Sequence, residues 1–264
     1  MDNITFKQLH SKNSFFVLGN CWDAISARVY EQAGYKAVGT SSWALSSING
    51  VKDGENITFN TVLNNAQDIL KQINIPLSVD LEKGYSHQTT GIIDNVLKLA
   101  NLGCSGINIE DSESQGGLLV PEKFAKTIES IKSALFSDGF SDFVINARTD
   151  TYLSPSCSDN IAETLIRASI YENAGADCLF VPGLSDLTEI KTISDSIKLP
   201  LNILNLPNIA NTEKLRIAGV NRFSLGNSVF DDMLAYIERT VAQTTGNGDY
   251  ANYYNHSPLR LNFN

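Results

Sequence analysis

Eight short apolar runs recur along the chain, and each is followed by a longer amphipathic stretch. The runs are Phe15–Leu18, Ala37–Thr40, Leu77–Val79, Gly106–Ile109, Phe143–Asn146, Cys178–Val181, Leu201–Leu204 and Arg222–Leu225. They are rich in Val, Ile, Leu and Phe and lack strict apolar–polar alternation. That is the pattern of parallel strands buried on both faces. Helical periodicity fills the intervals at Ala24–Ala33, Asn60–Ile73, Thr89–Leu102, Glu122–Leu135, Asn160–Ala174, Leu187–Ile197, Thr212–Ala218 and Val229–Val241.

The joins carry the same phase. Ala33-Gly34, Leu102-Gly103, Ala174-Gly175 and Ala218-Gly219 each close a helical pattern just before a strand, and glycine suits the left-handed helix end. Ile75-Pro76 and Leu199-Pro200 do the same with a residue that cannot continue a helix. Repeated strand–helix units predict a (β/α)8 TIM barrel, with a doubly wound open sheet as the competing architecture. The open sheet calls for a glycine-rich phosphate turn after the first strand, and Gly19-Asn20-Cys21-Trp22-Asp23 is not one. One barrel domain over residues 1–243 is expected, followed by an Asn-, Tyr- and Gly-rich tail over 244–264.

Composition narrows the function. The 264 residues carry a formal charge of -9, which argues against nucleic-acid partners, since phosphates require a basic face. No run of about 18 apolar residues occurs, so no membrane partner is expected. Lys7, His10 and Lys12 interrupt the N-terminal segment where a signal peptide would be apolar. The four cysteines, Cys21, Cys104, Cys157 and Cys178, form no CxxC pair and read as free thiols, which together with the missing leader suggests a reduced, cytoplasmic setting.

In such a barrel the chemistry lies at the carboxyl ends of the strands. The second strand ends in Thr40-Ser41-Ser42-Trp43, with Asp53 in the same loop. The third ends in Asp80-Leu81-Glu82, the fourth in Glu110-Asp111 and the fifth in Arg148-Thr149-Asp150. Asp53, Asp80, Glu82 and Glu110 thus fall on adjacent loops. Crowded carboxylates repel, and a hard cation relieves the conflict. An all-oxygen set selects Mg²⁺ or Mn²⁺. The other reading of each acid is a helix cap or an arginine partner. Arg148 has the fork to grip a substrate carboxylate, or else it pairs with Asp150 or Glu110. Ser41, Ser42 and Trp43 offer N–H groups to an anion, or simply begin a helix. Asn205 is a further candidate for lining the pocket.

These segments, with Gly34–Ser42, Gly50-Val51-Lys52-Asp53, Asp80–Tyr85, Gly106–Asp111 and Asn146–Asp150, resemble the isocitrate lyase/phosphoenolpyruvate mutase superfamily over about residues 15–240. The resemblance implies a Mg²⁺-dependent barrel acting on 2-oxo acids through an enolate. It also implies a homo-oligomer, a dimer or tetramer, in which the C-terminal helix is swapped between subunits. Asp80 takes the place of the direct metal ligand, and Asp53, Glu82 and Glu110 those of water-mediated ligands. Ser41, the N–H groups of Ser42 and Trp43, and Arg148 take the substrate grip.

Two departures stand out. The superfamily pattern is Asp-x-Asp after the third strand, and here the second acid is Glu82. The lyases carry a Lys-Lys-Cys-Gly-His loop after the fourth strand, and the mutases a gating loop with Lys and Asn. Here Ser112–Pro121 is short and has no Cys, Lys or His. The layout is that of the short-loop branch, which includes oxaloacetate decarboxylation. The expected activity is therefore carbon–carbon cleavage of a small 2-oxo or 2-hydroxy dicarboxylate. A phosphonopyruvate-type P–C hydrolase or mutase and a non-catalytic metabolite-binding barrel are the alternatives. Glu113, with Tyr85 and His87, is a candidate for moving the proton, and Gly116-Gly117 for hinging a small lid.

Overall fold

Each of the eight apolar runs is a β-strand, and the eight close on themselves in sequence order with every neighbouring pair parallel. The structure, a computed structural model, describes residues 5–113, 116–207, 209 and 211–248. The strands are β1 (Phe16–Cys21), β2 (Val38–Thr40), β3 (Leu77–Asp80), β4 (Gly106–Glu110), β5 (Val144–Arg148), β6 (Cys178–Phe180), β7 (Leu201–Leu204) and β8 (Arg222–Ser224). The open doubly wound sheet is thereby excluded.

Ten helices surround or flank the barrel among the described residues. Eight match the predicted patterns: α2 (Ala24–Gln32), α4 (Phe59–Leu70), α5 (Thr89–Leu102), α6 (Pro121–Ser137), α7 (Asn160–Asn173), α8 (Leu187–Ser196), α9 (Thr212–Ile217) and α10 (Ser228–Asn247). Five of these eight start on a side-chain cap, as where Asp23 accepts from the Ser26 N–H at 2.7 Å and Asp159 from the Ala162 N–H at 3.0 Å. All four predicted glycine joins have positive φ, at 87°, 106°, 95° and 91° for Gly34, Gly103, Gly175 and Gly219.

Two helices lie outside the eight periodic patterns, the first of them at the turn whose other reading was a helix start. One is α3 (Ser42–Ile48), a short helix directly after β2. The other is α1 (Phe6–Leu9), held by a capping box between Thr5 and Gln8. Phe6 and Leu9 pack with Phe16, Leu18, Ala37 and Val144, several of which open or precede strands. The helix α1 therefore stoppers the amino-terminal end of the barrel. The last helix also differs from expectation: α10 continues to Asn247, past residue 243. The rest of the predicted tail, from residue 249, lies outside the described residues.

The main core is a continuous layer of Leu, Ile, Val and Phe between strands and helices. The barrel interior is different. Asn108, Asn146, Asn202, Arg222 and Ser224 are all buried there and hydrogen-bond to one another across it. No helix among the described residues is long and apolar enough to cross a membrane.

Candidate active site

Strand register brings the site together. Asp80 at the end of β3 pairs with Asn108 on β4, and Glu110 at the end of β4 pairs with Arg148 at the end of β5. On the other side of Asp80, Thr40 ends β2 and its hydroxyl accepts from the Asp80 N–H at 2.8 Å. Ser41 then leaves the strand as the N-cap of α3, its hydroxyl accepting from the Ala44 N–H at 3.3 Å. The turn begins a helix, and its residues line the cavity at the barrel mouth.

Ser42 joins two of the acids. Its N–H donates to Asp80 Oδ2 at 3.2 Å, and its side chain hydrogen-bonds Asp53. The Ser42 N–H is therefore engaged by Asp80, whereas the Trp43 N–H has no hydrogen-bond partner among the described residues. Desolvation and then the charge of Asp80 raise the pKa of Asp53, with the Ser42 bond and Arg148 opposing them.

Glu82 sits deeper than expected, at 3% exposure. Its Oε2 accepts from the Glu55 N–H at 2.7 Å and its Oε1 from the Tyr85 hydroxyl at 2.5 Å. Glu55 Oε1 in turn accepts from the N–H groups of Lys83 and Tyr85 at 3.1 and 2.6 Å. Glu55, Glu82 and Tyr85 have φ of 62°, 49° and 56° and are the non-glycine residues with positive φ among those described. Burial pushes the Glu82 pKa up to about 7, the Tyr85 bond opposes this, and Asp80, Asp53 and Glu110 add to it.

Arg148 is more committed than a free substrate grip would be. Its Nε and Nη2 hold Asp150 at 2.6 and 2.9 Å, and its Nη1 lies 2.8 Å from Glu110 Oε2. Both pairings foreseen as alternatives are made. Three of the five N–H donors of a guanidinium are thus directed at carboxylates, and two remain. Burial pulls its pKa down, but Glu110 and Asp150 outweigh this and hold it above the ordinary value. The other Glu110 oxygen accepts from the Ser112 hydroxyl and lies 4.0 Å from Lys83 Nζ.

A cavity of about 170 Å³ opens at this mouth. Ser41, Ser42, Trp43, Asp53, Asp80 and Arg148 form its polar side. Leu153, Phe180, Pro182 and Leu204 form an apolar wall, and Asn20, Asn108 and Ser224 lie among the remaining lining residues. Arg148 is the one cation in the lining.

Six predicted residues lie outside this lining. Asn205 Nδ2 donates to Ser228 Oγ at 3.0 Å and so braces the start of α10, outside the lining. Glu113 and His87 line a separate cavity of about 440 Å³ between the residues that follow β3 and β4. Tyr85 is bonded to Glu82. Glu82 and Glu110 do not line the smaller cavity, since their oxygens are taken by neighbours on the loops and on β5.

The donor set suits a hard cation. The acids that reach the cavity are Asp53 and Asp80, with oxygen ligands only, and the charge of Asp80 raises the cost of ionising Asp53. Among the described residues no three His, Cys, Asp or Glu side chains could cage an ion directly. Direct ligation by one or two carboxylates, completed by water, is what this arrangement accommodates.

Reading apolar runs alone misses Asn108, Asn146, Arg222 and Ser224. The signal that finds them is period two: Asn108 and Glu110, Asn146 and Arg148, and Arg222 and Ser224 each fall on one face of a strand. Glu55 has no comparable signal, since it sits in a loop.

The phosphoenolpyruvate phosphomutase family model matches residues 6–245. An uncharacterised protein of Mycobacterium tuberculosis (strain H37Rv) is 35% identical over 246 residues, covering 93% of this chain and 90% of that protein. The oxaloacetate decarboxylase of Paraburkholderia xenovorans (strain LB400) is 25% identical over 232 residues, covering 85% and 76%. The structure of phosphonopyruvate hydrolase in complex with oxalate and Mg²⁺ superimposes with a TM-score of 0.85 at 22% identity, covering 97% of this chain and 91% of that one. With the closed barrel and the acids at its mouth, the match along nearly the whole described fold makes this chain a member of the phosphoenolpyruvate phosphomutase family, an enzyme of the PEP mutase/isocitrate lyase superfamily.

Proposed function

We propose that the chain is a Mg²⁺- or Mn²⁺-dependent carbon–carbon lyase that decarboxylates a small 2-oxo dicarboxylate of the oxaloacetate type. The observation that carries this reading is the asymmetry of the cavity. One side holds Asp53, Asp80 and Arg148, and the other is Leu153, Phe180, Pro182 and Leu204 with no cation. A carboxylate facing that wall is poorly solvated, and it sheds its charge on leaving as CO₂. A phosphonate dianion would keep its charge and require a cation there, which disfavours P–C cleavage.

Asp80 and Asp53 are the residues that would hold the metal, its shell completed by water, while Glu82 and Glu110, engaged by neighbours outside the lining, support the loops around it. When bound, the metal supplies stabilisation of negative charge at the 2-oxo oxygen. The remaining N–H donors of Arg148, the Ser41 hydroxyl and the Trp43 N–H orient the proximal carboxylate. The bond between C3 and C4 breaks, its electron pair moves toward the 2-oxo oxygen, and CO₂ departs along the apolar wall. C3 later takes a proton. No base is needed to start, which agrees with a loop after β4 that has no Cys, Lys or His.

The same reading includes a homo-oligomer. Leu234, Ile237 and Val241 are 45–51% exposed on one face of α10, an apolar stripe suited to a second copy of the chain. The four free thiols suit a reducing, cytoplasmic setting.

The test is turnover. Purified protein with Mg²⁺ should release pyruvate and CO₂ from oxaloacetate well above the uncatalysed rate and leave phosphonopyruvate intact. Phosphonopyruvate cleavage would replace this reading with the P–C one. Oxalate binding without turnover of any 2-oxo acid would favour the non-catalytic barrel.

A further inference from the structure

The barrel interior below the cavity holds a cation without an acid. Arg222 on β8 is fully buried, and its described hydrogen-bond partners are neutral. Its Nε donates to Ser224 Oγ at 3.2 Å, its Nη2 to Asn108 Oδ1 at 3.1 Å, and its Nη1 faces His10 Nε2 at 3.3 Å. Burial of an arginine without a carboxylate is costly, so its retention calls for a use. Burial lowers its pKa to about 10, which leaves it charged at neutral pH, and the attraction of Asp80 works the other way.

The geometry fixes one side chain at the cavity. A guanidinium offers donors only, so the Asn108 atom facing it has to be the oxygen. Asn146 Nδ2 donates to that same oxygen at 2.8 Å. With Oδ1 held by two donors, the Asn108 amide has its NH₂ left over. That nitrogen has no hydrogen-bond partner among the described residues, and Asn108 lines the cavity beside Asp80.

We propose that Asn108 contacts the substrate as a hydrogen-bond donor from the cavity floor, and that Arg222 is the positioning residue that orients it. This deepens the decarboxylase reading and rests on it. The donor serves an oxygen of the bound 2-oxo acid, whose negative charge grows as the C3–C4 bond breaks.

The decisive variant is Asn108→Asp. It keeps the shape and both acceptor contacts, and it gives Arg222 a charged partner, so the melting temperature should hold or rise. It also replaces the N–H donor with an acceptor. Oxalate affinity in Mg²⁺, read by calorimetry, and kcat on oxaloacetate should each fall tenfold or more. Unchanged affinity and kcat in a folded Asn108→Asp protein would overturn the proposal.

Arg222 is tested through a cycle. Arg222→Lys and Arg222→Met should lower kcat on their own and add little in the Asn108→Ala background. Full additivity in whichever of the two folds would overturn the positioning role. If the wild-type protein with Mg²⁺ neither binds oxalate nor turns over oxaloacetate, the decarboxylase reading itself fails and this inference falls with it.

Discussion

The backbone N–H of Glu55 donates to Glu82 Oε2 at 2.7 Å, while Glu55 Oε1 accepts from the two N–H groups of Lys83 and Tyr85. Each glutamate thus closes the other's loop, and the two loops carry Asp53 and Asp80. Glu55→Ala should remove the two contacts its side chain makes to the N–H groups of Lys83 and Tyr85, while its own N–H still reaches Glu82. A loss of about 1–3 kcal/mol in chemical unfolding is expected, with weaker Mg²⁺–oxalate binding because Asp53 is no longer held against Asp80. Equal oxalate affinity in the variant would show that the clasp serves folding alone.

Adding Mg²⁺ with oxalate should raise the melting temperature of the wild-type protein, because a ligand that binds only the folded state stabilises it. At one hundred times Kd the gain is about 2.7 kcal/mol. Asp80→Ala should abolish the rise, and Asp53→Asn should reduce it. Differential scanning fluorimetry measures both, and a rise preserved in Asp80→Ala would remove Asp80 from the metal site.

Arg148 neutralises two acids as well as facing the cavity. Arg148→Met leaves Glu110, at 7% exposure, and Asp150, also at 7%, without their cation. Breaking a buried pair from one side costs about 3–5 kcal/mol, so this variant should be markedly less stable. Double substitution with Glu110→Gln should recover part of that stability and none of the oxalate binding. Urea midpoints and calorimetry separate the two effects.

His10 predicts an acid-sensitive floor. Its Nδ1 faces the Phe6 carbonyl at 2.8 Å, which makes that nitrogen the donor and leaves Nε2 to accept from Arg222. Burial first, and Arg222 second, hold its pKa at about 3, below the usual 6.5. The unfolded chain takes up this proton as pH drops below 6.5, while the folded chain resists until about pH 3. Stability should therefore be flat above pH 6.5 on this account and decline through the window below it, by a few kcal/mol at most. His10→Gln keeps an acceptor for Arg222 and should flatten that part of the pH profile; an unchanged profile would discharge His10 from the role.

The barrel was legible because its apolar runs are buried on both faces and its joins use residues that stop helices. The ends of β3, β4 and β5 were read one or two residues short. There the hydrogen-bonded ladder continues through Asp80, Glu110 and Arg148 after the hydrophobic pattern has stopped. Asp53, Asp80, Ser41 and Arg148 were found from their place after the strands. The pairings of Arg148 with Asp150 and Glu110 were foreseen as alternatives, but that both are made at once follows only from the register of β4 and β5. Asn108 and Arg222 hid inside apolar strands because a polar residue facing the barrel axis interrupts the run without ending it. The apolar wall was invisible for a related reason: Leu153, Phe180, Pro182 and Leu204 converge from three separate loops and strands.

The stopper formed by α1 gives the opening residues of the chain an influence at the far mouth. Phe6 fixes His10, His10 accepts from Arg222, and Arg222 holds Asn108 below Asp80. Trimming α1, or joining a rigid fusion partner flush against it, should therefore disturb the set of Asn108 in the cavity at the opposite end of the barrel.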